Sequence, residues 1–195
     1  MTTRSDAELL QSHIDGDQVA FEQLIRRHGP ALLGYITKMV YDSQLAQDLF
    51  QETFKKVHQY ANSYKGQGKF KSWLYSIASN VVIDNMRKLK RQPIAFSLNT
   101  SDNDGSGAFA AIEDDKVINP YQQVTCDESK EQVKVALEQL TAQQKATVIM
   151  AYYQGMTYKE IAETLNCSLS TVKTHMFRGL KALAKLLPDP KGVTE

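Results

Sequence analysis

Met156-Thr157-Tyr158-Lys159-Glu160-Ile161-Ala162-Glu163-Thr164-Leu165-Asn166-Cys167-Ser168-Leu169-Ser170-Thr171-Val172-Lys173-Thr174-His175-Met176 carries start, turn and restart signals for two helices in direct succession. It has the form of a helix-turn-helix. Thr157 is placed to cap a first helix and Glu160 follows three residues on, the spacing of a capping box. Ile161, Ala162 and Leu165 share the inner face of that helix, and Ala162 is small enough to let a second helix come close. Asn166-Cys167-Ser168 makes the turn. Ser168 or Ser170 caps the second helix, and Val172 and Met176 hold it inward. Ser170, Thr171, Lys173, Thr174, Phe177, Arg178 and Lys181 are left to project toward DNA. Lys173, Arg178 and Lys181 suit phosphates, whereas Ser170, Thr171 and Thr174, near the helix start, suit base edges. A pair of helices that merely packs would need neither the coincident caps nor the basic second helix.

Outward from this motif the chain stays helical. Leu9, Leu10, Ile14, Phe21, Leu24, Ile25, Leu32, Leu33, Ile36, Met39 and Val40 recur at three- and four-residue steps, the period of an amphipathic helix. Strand-like alternation is almost absent. Gly16-Asp17, Gly29-Pro30, Tyr41-Asp42-Ser43 and Gly66-Gln67-Gly68 are the expected breaks, giving four or five helices. From Gln92-Pro93 to about Asp127 the chain turns polar, too poor in apolar residues to offset the entropy of ordering. A second helical block begins near Ser129, with Val133, Leu137 and Leu140 on one stripe and Val148, Ile149 and Tyr152 on another. The expected architecture is all-α: two small helical domains, 1–92 and 129–190, joined by a flexible acidic linker, 93–128.

The formal net charge of +1 hides a segregation. Residues 1–92 carry 13 Lys/Arg against 9 Asp/Glu, residues 93–128 carry 1 against 7, and residues 129–195 carry 9 against 6. Two basic lobes flank an acidic strap, which points to polyanion binding by the lobes. No run approaches the roughly 18 apolar residues of a membrane span, and Met1-Thr2-Thr3-Arg4 lacks the apolar core of a signal peptide, so a cytoplasmic protein is expected. Cys126 and Cys167 stand apart with no histidine at ligand spacing. They predict no metal site, no disulfide framework and no cofactor. His13, His28, His58 and His175 are scattered, and no Gly-rich phosphate loop is present, so an enzyme is not expected.

The discriminating segment is Asp48-Leu49-Phe50-Gln51-Glu52-Thr53-Phe54-Lys55-Lys56-Val57, followed by Tyr64-Lys65-Gly66-Gln67-Gly68-Lys69-Phe70-Lys71-Ser72-Trp73-Leu74-Tyr75-Ser76-Ile77-Ala78-Ser79-Asn80. Between Lys65 and Arg91 stand seven Lys/Arg and one acid, Asp84, interleaved with Phe70, Trp73 and Tyr75. Cations neutralise phosphates, and aromatic faces stack on unpaired bases for roughly 1 to 3 kcal/mol each. That combination suits single-stranded DNA better than an intact duplex. The competing reading, that Phe70, Trp73 and Tyr75 are core at helical spacing, stays open.

These segments closely resemble the extracytoplasmic-function (ECF) sigma factors, relatives of the primary sigma factors of bacterial RNA polymerase. Region 2 of that family commonly reads Asp-Leu-Val-Gln-Glu-Thr-Phe, then an aromatic, basic, glycine-containing loop, then Phe-x-x-Trp-Leu-Tyr-x-Ile-Ala-x-Asn. The resemblance covers both lobes, about Ala7 to Arg91 and Ser129 to Leu187. It implies a factor that binds core RNA polymerase and directs promoter-specific initiation, with no catalytic activity. Asp48, Gln51, Glu52 and Lys55 would dock on the β′ clamp helices. The loop from Ser63 to Lys69, with Tyr64 and Lys65, would receive a flipped base of the minus-ten element, alongside Phe70, Trp73 and Tyr75. Asn80, Arg87, Lys88 and Arg91 would hold backbone or neighbouring bases. The second lobe would read the minus-thirty-five element and meet the β flap. A LuxR-type regulator shares the helix-turn-helix, but its receiver would need an α/β pattern that this chain does not contain.

One departure concerns the polymerase face. Where the family usually has an acidic cluster like Asp-Ala-Glu-Asp, this chain reads Leu45-Ala46-Gln47-Asp48. Two carboxylates are missing from a surface where charge matching sets on-rate and register. A phosphate, at about −1.5 to −2 charges, is of the sign and size to replace them. Ser43, Thr53 and Ser63 are the nearby hydroxyls, and Ser63, in the loop beside Tyr64, is the acceptor most open to a Ser/Thr kinase. An anti-sigma factor is the other form of control the resemblance implies.

Overall fold

The computed structural model describes residues 4–64, 69–91 and 131–187. Every regular element among them is helical. Helix α1 spans Asp6–Ile14 and starts at a reciprocal box in which the Ser5 hydroxyl accepts from the Glu8 amide and the Glu8 carboxylate accepts from the Ser5 amide. Gly16, at φ +104°, turns the chain into Asp17, whose carboxylate caps α2, Gln18–Val40. Asp42 caps α3, Ser43–Tyr60, so Ser43 is the first helical residue. A single 3-10 turn, Ala61–Ser63, leads toward α4, Phe70–Arg91. Residues 131–138 form α5. It is followed by α6 (Ala142–Tyr152), α7 (Tyr158–Thr164) and α8 (Leu169–Leu186). The linker expected over 93–128, with Cys126, lies outside the described residues. So do Lys65, residues 66–68 and 188–190, and the side chain of Arg91.

Gly29-Pro30 does not break the chain as its composition predicts. Helix α2 runs unbroken through Pro30. Proline removes one ladder hydrogen bond and crowds the preceding turn, so the helix survives only because both halves bury the same face. Leu24 lies before the proline and Leu32, Tyr35, Ile36 and Met39 after it, all fully buried. The Phe50 ring packs beside Gly29 at this point, where an added Cβ would sit 3.4 Å from Phe50 Cζ, an ordinary van der Waals contact. Tertiary packing here overrides a local breaker.

Helices α1, α3 and α4 pack around α2. Asp6 ties α1 to it, accepting from Arg27 at 2.5 Å and pairing with His28 at 2.9 Å. At the centre, the Tyr35 hydroxyl meets Ser79 Oγ at 3.0 Å, which itself donates to the Tyr75 carbonyl. The second lobe does not stand apart. A single apolar cluster continues from Leu9, Leu24, Ile36 and Leu74 into Ala146, Ile149, Met150, Met156, Ile161 and Val172. Within the second lobe, buried Gly179 lets α8 close on α6, where an added Cβ would come within 3.1 Å of Val148 Cγ2.

Leu24→Ala should therefore cost about 2 to 5 kcal/mol, the range for deleting a buried leucine. Val19→Ala, at an exposed site on the same helix, should stay within about 0.5 kcal/mol. Urea unfolding of both variants checks the pair, and equal losses would count against the assigned core face.

Candidate nucleic-acid interface

The start of α4 is an aromatic cluster. Tyr64 and Trp73 lie with ring centroids 5.2 Å apart, and Phe70 is 5.8 Å from Trp73 and 6.1 Å from Tyr64. Phe70 is buried, and it also leans on His28 at 5.2 Å. Tyr64 and Trp73 are partly exposed. Burial, and then the Asp6 carboxylate, push the Tyr64 hydroxyl's pKa up. Of the aromatics expected to meet bases, Tyr64 and Trp73 stay partly exposed, whereas Phe70 packs.

Tyr75 is buried too. Its ring lies 5.2 Å from Tyr35, and its hydroxyl donates to Gln154 Oε1 at 2.6 Å. Desolvation, and then Tyr35, raise its pKa. Gln154, in the loop after α6, binds the first lobe twice more: its carbonyl accepts from Lys71 Nζ at 2.9 Å, and its Nε2 donates to the Ala31 carbonyl at 3.3 Å. Nearby, exposed Lys69 pairs with Glu160 of α7 at 2.6 Å. Glu160 also completes the predicted capping box with Thr157. The Lys69 hydrogen bond, and then the Thr157 bonds, hold the Glu160 carboxyl down at about 2.

Further along α4, Asn80, Arg87 and Lys88 are exposed, and Arg87 lies 3.5 Å from Asp84. Asn80 and Arg87 face a crevice of about 130 Å3 whose opposite wall includes Cys167, Thr171 and His175 of the second lobe. Burial raises the Cys167 thiol and, ahead of Arg178, lowers His175. The helix-turn-helix itself follows its local signals. Asn166 turns at φ +48°, Ser168 caps α8, and Val172 and Met176 are buried. Ser170, Lys173, Thr174, Phe177, Arg178 and Lys181 are exposed, Phe177 at 68%. Thr171 is half-buried and turns to the crevice.

On α3, Asp48, Gln51, Glu52 and Lys55 occupy one exposed face and line a shallow groove with Lys56 and Gln59. Gln47 is exposed, but Leu45 packs against the core. Thr53 is fully buried, its hydroxyl donating to the Leu49 carbonyl at 2.7 Å. Ser63 is exposed, its hydroxyl donating to the Tyr60 carbonyl at 2.6 Å.

Several contributors escaped the sequence reading. Tyr41, left-handed at the end of α2, receives Lys145 over its ring at 4.6 Å and Lys134 at 5.9 Å. Burial, and then Tyr153, push its hydroxyl up to about 12. Lys38 lies 4.7 Å from the centre of the Tyr153 ring. None of these pairs has a spacing signal, because each joins residues remote in sequence. The scattered histidines also meet: His13 stacks on Phe21 at 4.3 Å and reaches His58 at 2.9 Å, a packing role. Among the described residues no group of three or more His, Cys, Asp or Glu could hold a metal, and no helix is long and apolar enough to cross a membrane.

Residues 24–92 match Sigma-70 region 2, and residues 130–183 match Sigma-70 region 4. The chain is 32% identical to the ECF RNA polymerase sigma factor SigM of Mycobacterium tuberculosis, over 94% of this chain and 85% of that protein. Its fold is similar to that of CnrH in complex with the cytosolic domain of CnrY, with 21% identity, a TM-score of 0.67 and coverage of 94% and 97%. It is also similar to the sigma factor RpoE in complex with the anti-sigma factor NepR from Bartonella quintana, with 23% identity, a TM-score of 0.62 and coverage of 89% and 98%.

The Lys69–Glu160 geometry has a pH signature. The folded Glu160 pKa lies below its ordinary 4.5, so the pair's contribution is complete above that value and is lost as pH falls through about 2. Side-chain NMR titration should find Glu160 ionised to about pH 2. In Lys69→Ala the midpoint should rise, yet stay below 4.5 because the Thr157 bonds remain. An unmoved midpoint would mean that Thr157 alone holds the carboxylate.

Proposed function

Because the chain belongs to the ECF RNA polymerase sigma factors, which direct promoter-specific initiation and are not themselves enzymes, we propose a division of labour among its residues. Region 2, within residues 1–92, carries the polymerase face on α3 and the minus-ten surface at the start of α4. Region 4, within 129–190, carries the minus-thirty-five reader on α8, and 93–128 joins them. Asp48, Gln51, Glu52 and Lys55 dock on the β′ clamp helices. The observation that carries this reading is their shared exposed face, at steps of three and four residues, on a helix whose opposite side is buried core.

Tyr64, Lys65, Lys69 and Trp73 receive and hold the opened minus-ten strand, with Asn80, Arg87, Lys88 and Arg91 on its backbone or neighbouring bases. Phe70 and Tyr75 support that surface from beneath, as their burial favours. On α8, Lys173, Arg178 and Lys181 hold phosphates, and Ser170, Thr171 and Thr174 read bases, with Phe177 against the groove wall; this lobe also meets the β flap. The factor works in the cytoplasm, where core polymerase is found. Reconstituted holoenzyme should give run-off transcripts from a subset of genomic promoters. Asp48→Ala with Glu52→Ala should weaken core binding about tenfold, equivalent to about 1.4 kcal/mol. Undiminished core affinity would remove the α3 face from the docking surface.

Control by an anti-sigma factor is one consistent regulation, by analogy with RpoE, whose similar fold is bound by the anti-sigma factor NepR. Phosphorylation of Ser63 by a Ser/Thr kinase is another. It is favoured over Thr53 because Ser63 is exposed and Thr53 is fully buried. The missing acid to restore is then Gln47, since Leu45 belongs to the core. Ser63→Glu should raise core affinity severalfold over Ser63→Ala, and Gln47→Glu should do the same without any phosphate. If the unmodified protein already binds core as tightly as Gln47→Glu, no charge is wanting and the switch is excluded.

A further inference from the structure

Behind the aromatic cluster stands a second row of side chains with no assigned part in DNA binding. Asp6, the first residue of α1, directs both carboxylate oxygens at α2: Oδ1 accepts from Arg27, and Oδ2 accepts from His28 Nε2 at 2.9 Å. Since a carboxylate oxygen accepts, Nε2 carries the imidazole proton, and this bond fixes how the ring is turned. The ring so held lies 5.2 Å from Phe70, tilted by 51° to it. Phe70 in turn lies against both Tyr64 and Trp73, the two partly exposed aromatics. Asp6 also bears on Tyr64 directly, its charge being the next cause after burial of the raised Tyr64 pKa. Helix α1 packs on the 3-10 turn that delivers Tyr64. His28 lies within residues 24–92, which match Sigma-70 region 2, whereas Asp6 lies outside them.

We propose that Asp6 and His28 are positioning residues for the base-receiving surface: the carboxylate orients the imidazole, the imidazole backs Phe70, and Phe70 holds Tyr64 and Trp73 ready for an unpaired base. Neither Asp6 nor His28 has to touch DNA for this. A stacking platform gains from having its rings fixed before the base arrives, because ordering them on binding would subtract from the stack's contribution. Phe70 does not fix that platform alone, since His28 is the α2 ring against which it rests. An imidazole without a partner for Nε2 is free to turn about its side-chain bonds. Both members of the dyad are largely sheltered, His28 at 15% and Asp6 at 24% side-chain exposure, which strengthens their bond relative to one in open water. The Arg27–Asp6 pair and the burial of Leu9 and Leu10 hold α1 on the core without His28, so changing His28 leaves the helix docked.

This inference rests on the minus-ten assignment proposed above, and Trp73 allows the two to be tested apart. It is the sole tryptophan of the chain, so the emission of the free full-length factor reads the cluster with no DNA present. His28→Ala and Asp6→Ala should each shift that emission to the red and open it to quenching by acrylamide. Because Asp6 acts through His28, the double variant should show no more than the larger single effect. His13→Ala, which removes the α1 ring stacked on Phe21, should leave the emission unmoved, and circular dichroism checks that each variant stays helical. His28→Gln keeps a donor for Asp6, should return most of the parent emission, and serves where an alanine variant fails to fold. In holoenzyme, His28→Ala should slow open-complex formation on a duplex promoter about tenfold, the loss of one well-formed stack, yet reduce transcription from the same promoter pre-melted as a bubble by less than about threefold. The inference is overturned by an unmoved emission in folded His28→Ala, by additive effects in the double variant, by an equal shift in His13→Ala, or by equal losses on both templates. It is overturned as well if His28→Ala opens the duplex normally while Trp73→Ala does not. Normal opening by Trp73→Ala would instead refute the minus-ten assignment.

Discussion

The described structure depends on the buried face of α2. This helix packs against α1, α3, α4 and α6, and it keeps one apolar face in register across Pro30, where local chemistry favours an interruption. The lost ladder bond is tolerated because Leu24 on one side and Leu32, Tyr35 and Ile36 on the other are fully buried in the same core, each worth roughly 1.5 to 3 kcal/mol. A kink at residue 30 would withdraw one half from that core. The continuous helix then presents Ala31 to Gln154 and Tyr41 to Lys145, so the geometry of the lobe junction follows from the survival of α2.

The junction reuses groups that already have local duties. Glu160 caps α7 and also pairs with Lys69. Tyr75 fills the space beside Tyr35 and also donates to Gln154. Such double use makes the interface specific without adding many charges, since each polar group is preorganised by its own helix before the lobes meet. It also makes the junction insensitive to pH near neutrality, because Glu160 stays ionised down to about pH 2 and the pairing raises the Lys69 pKa. Ionic strength is the more effective lever, since added salt weakens an exposed pair while neutral pH leaves both charges in place.

The lengthwise pattern of α3 shows how one helix can serve two surfaces. Ala46, Leu49, Thr53 and Val57 face inward, while Asp48, Gln51, Glu52 and Lys55 face out. Burial of Thr53 belongs to the same geometry: at a helix-interior position its hydroxyl returns to the Leu49 carbonyl, a common refuge for threonine in helices. Ser63 also bonds back, to the Tyr60 carbonyl, but lies in the 3-10 turn that ends α3 and stays exposed.

The all-helical character, the family, the Thr157–Glu160 box and the outward face of α8 were legible in the chain, whereas the cap of α8 stayed open between Ser168 and Ser170 until the structure chose Ser168. These are short-range features, set by residues three or four apart on one helix, and such spacings survive whatever the helix packs against. The polymerase face of α3 came from the family resemblance rather than from spacing. That Pro30 sits inside a helix, and that Phe70 and Tyr75 are buried while Tyr64 and Trp73 stay partly exposed, emerged only from the packed structure. It alone decided that Gln154, Tyr41 and Lys145, which belong to no motif, join the two lobes. Those outcomes depend on which surfaces meet across many tens of residues, and burial of shared apolar area settles that meeting without leaving a periodic mark in the chain.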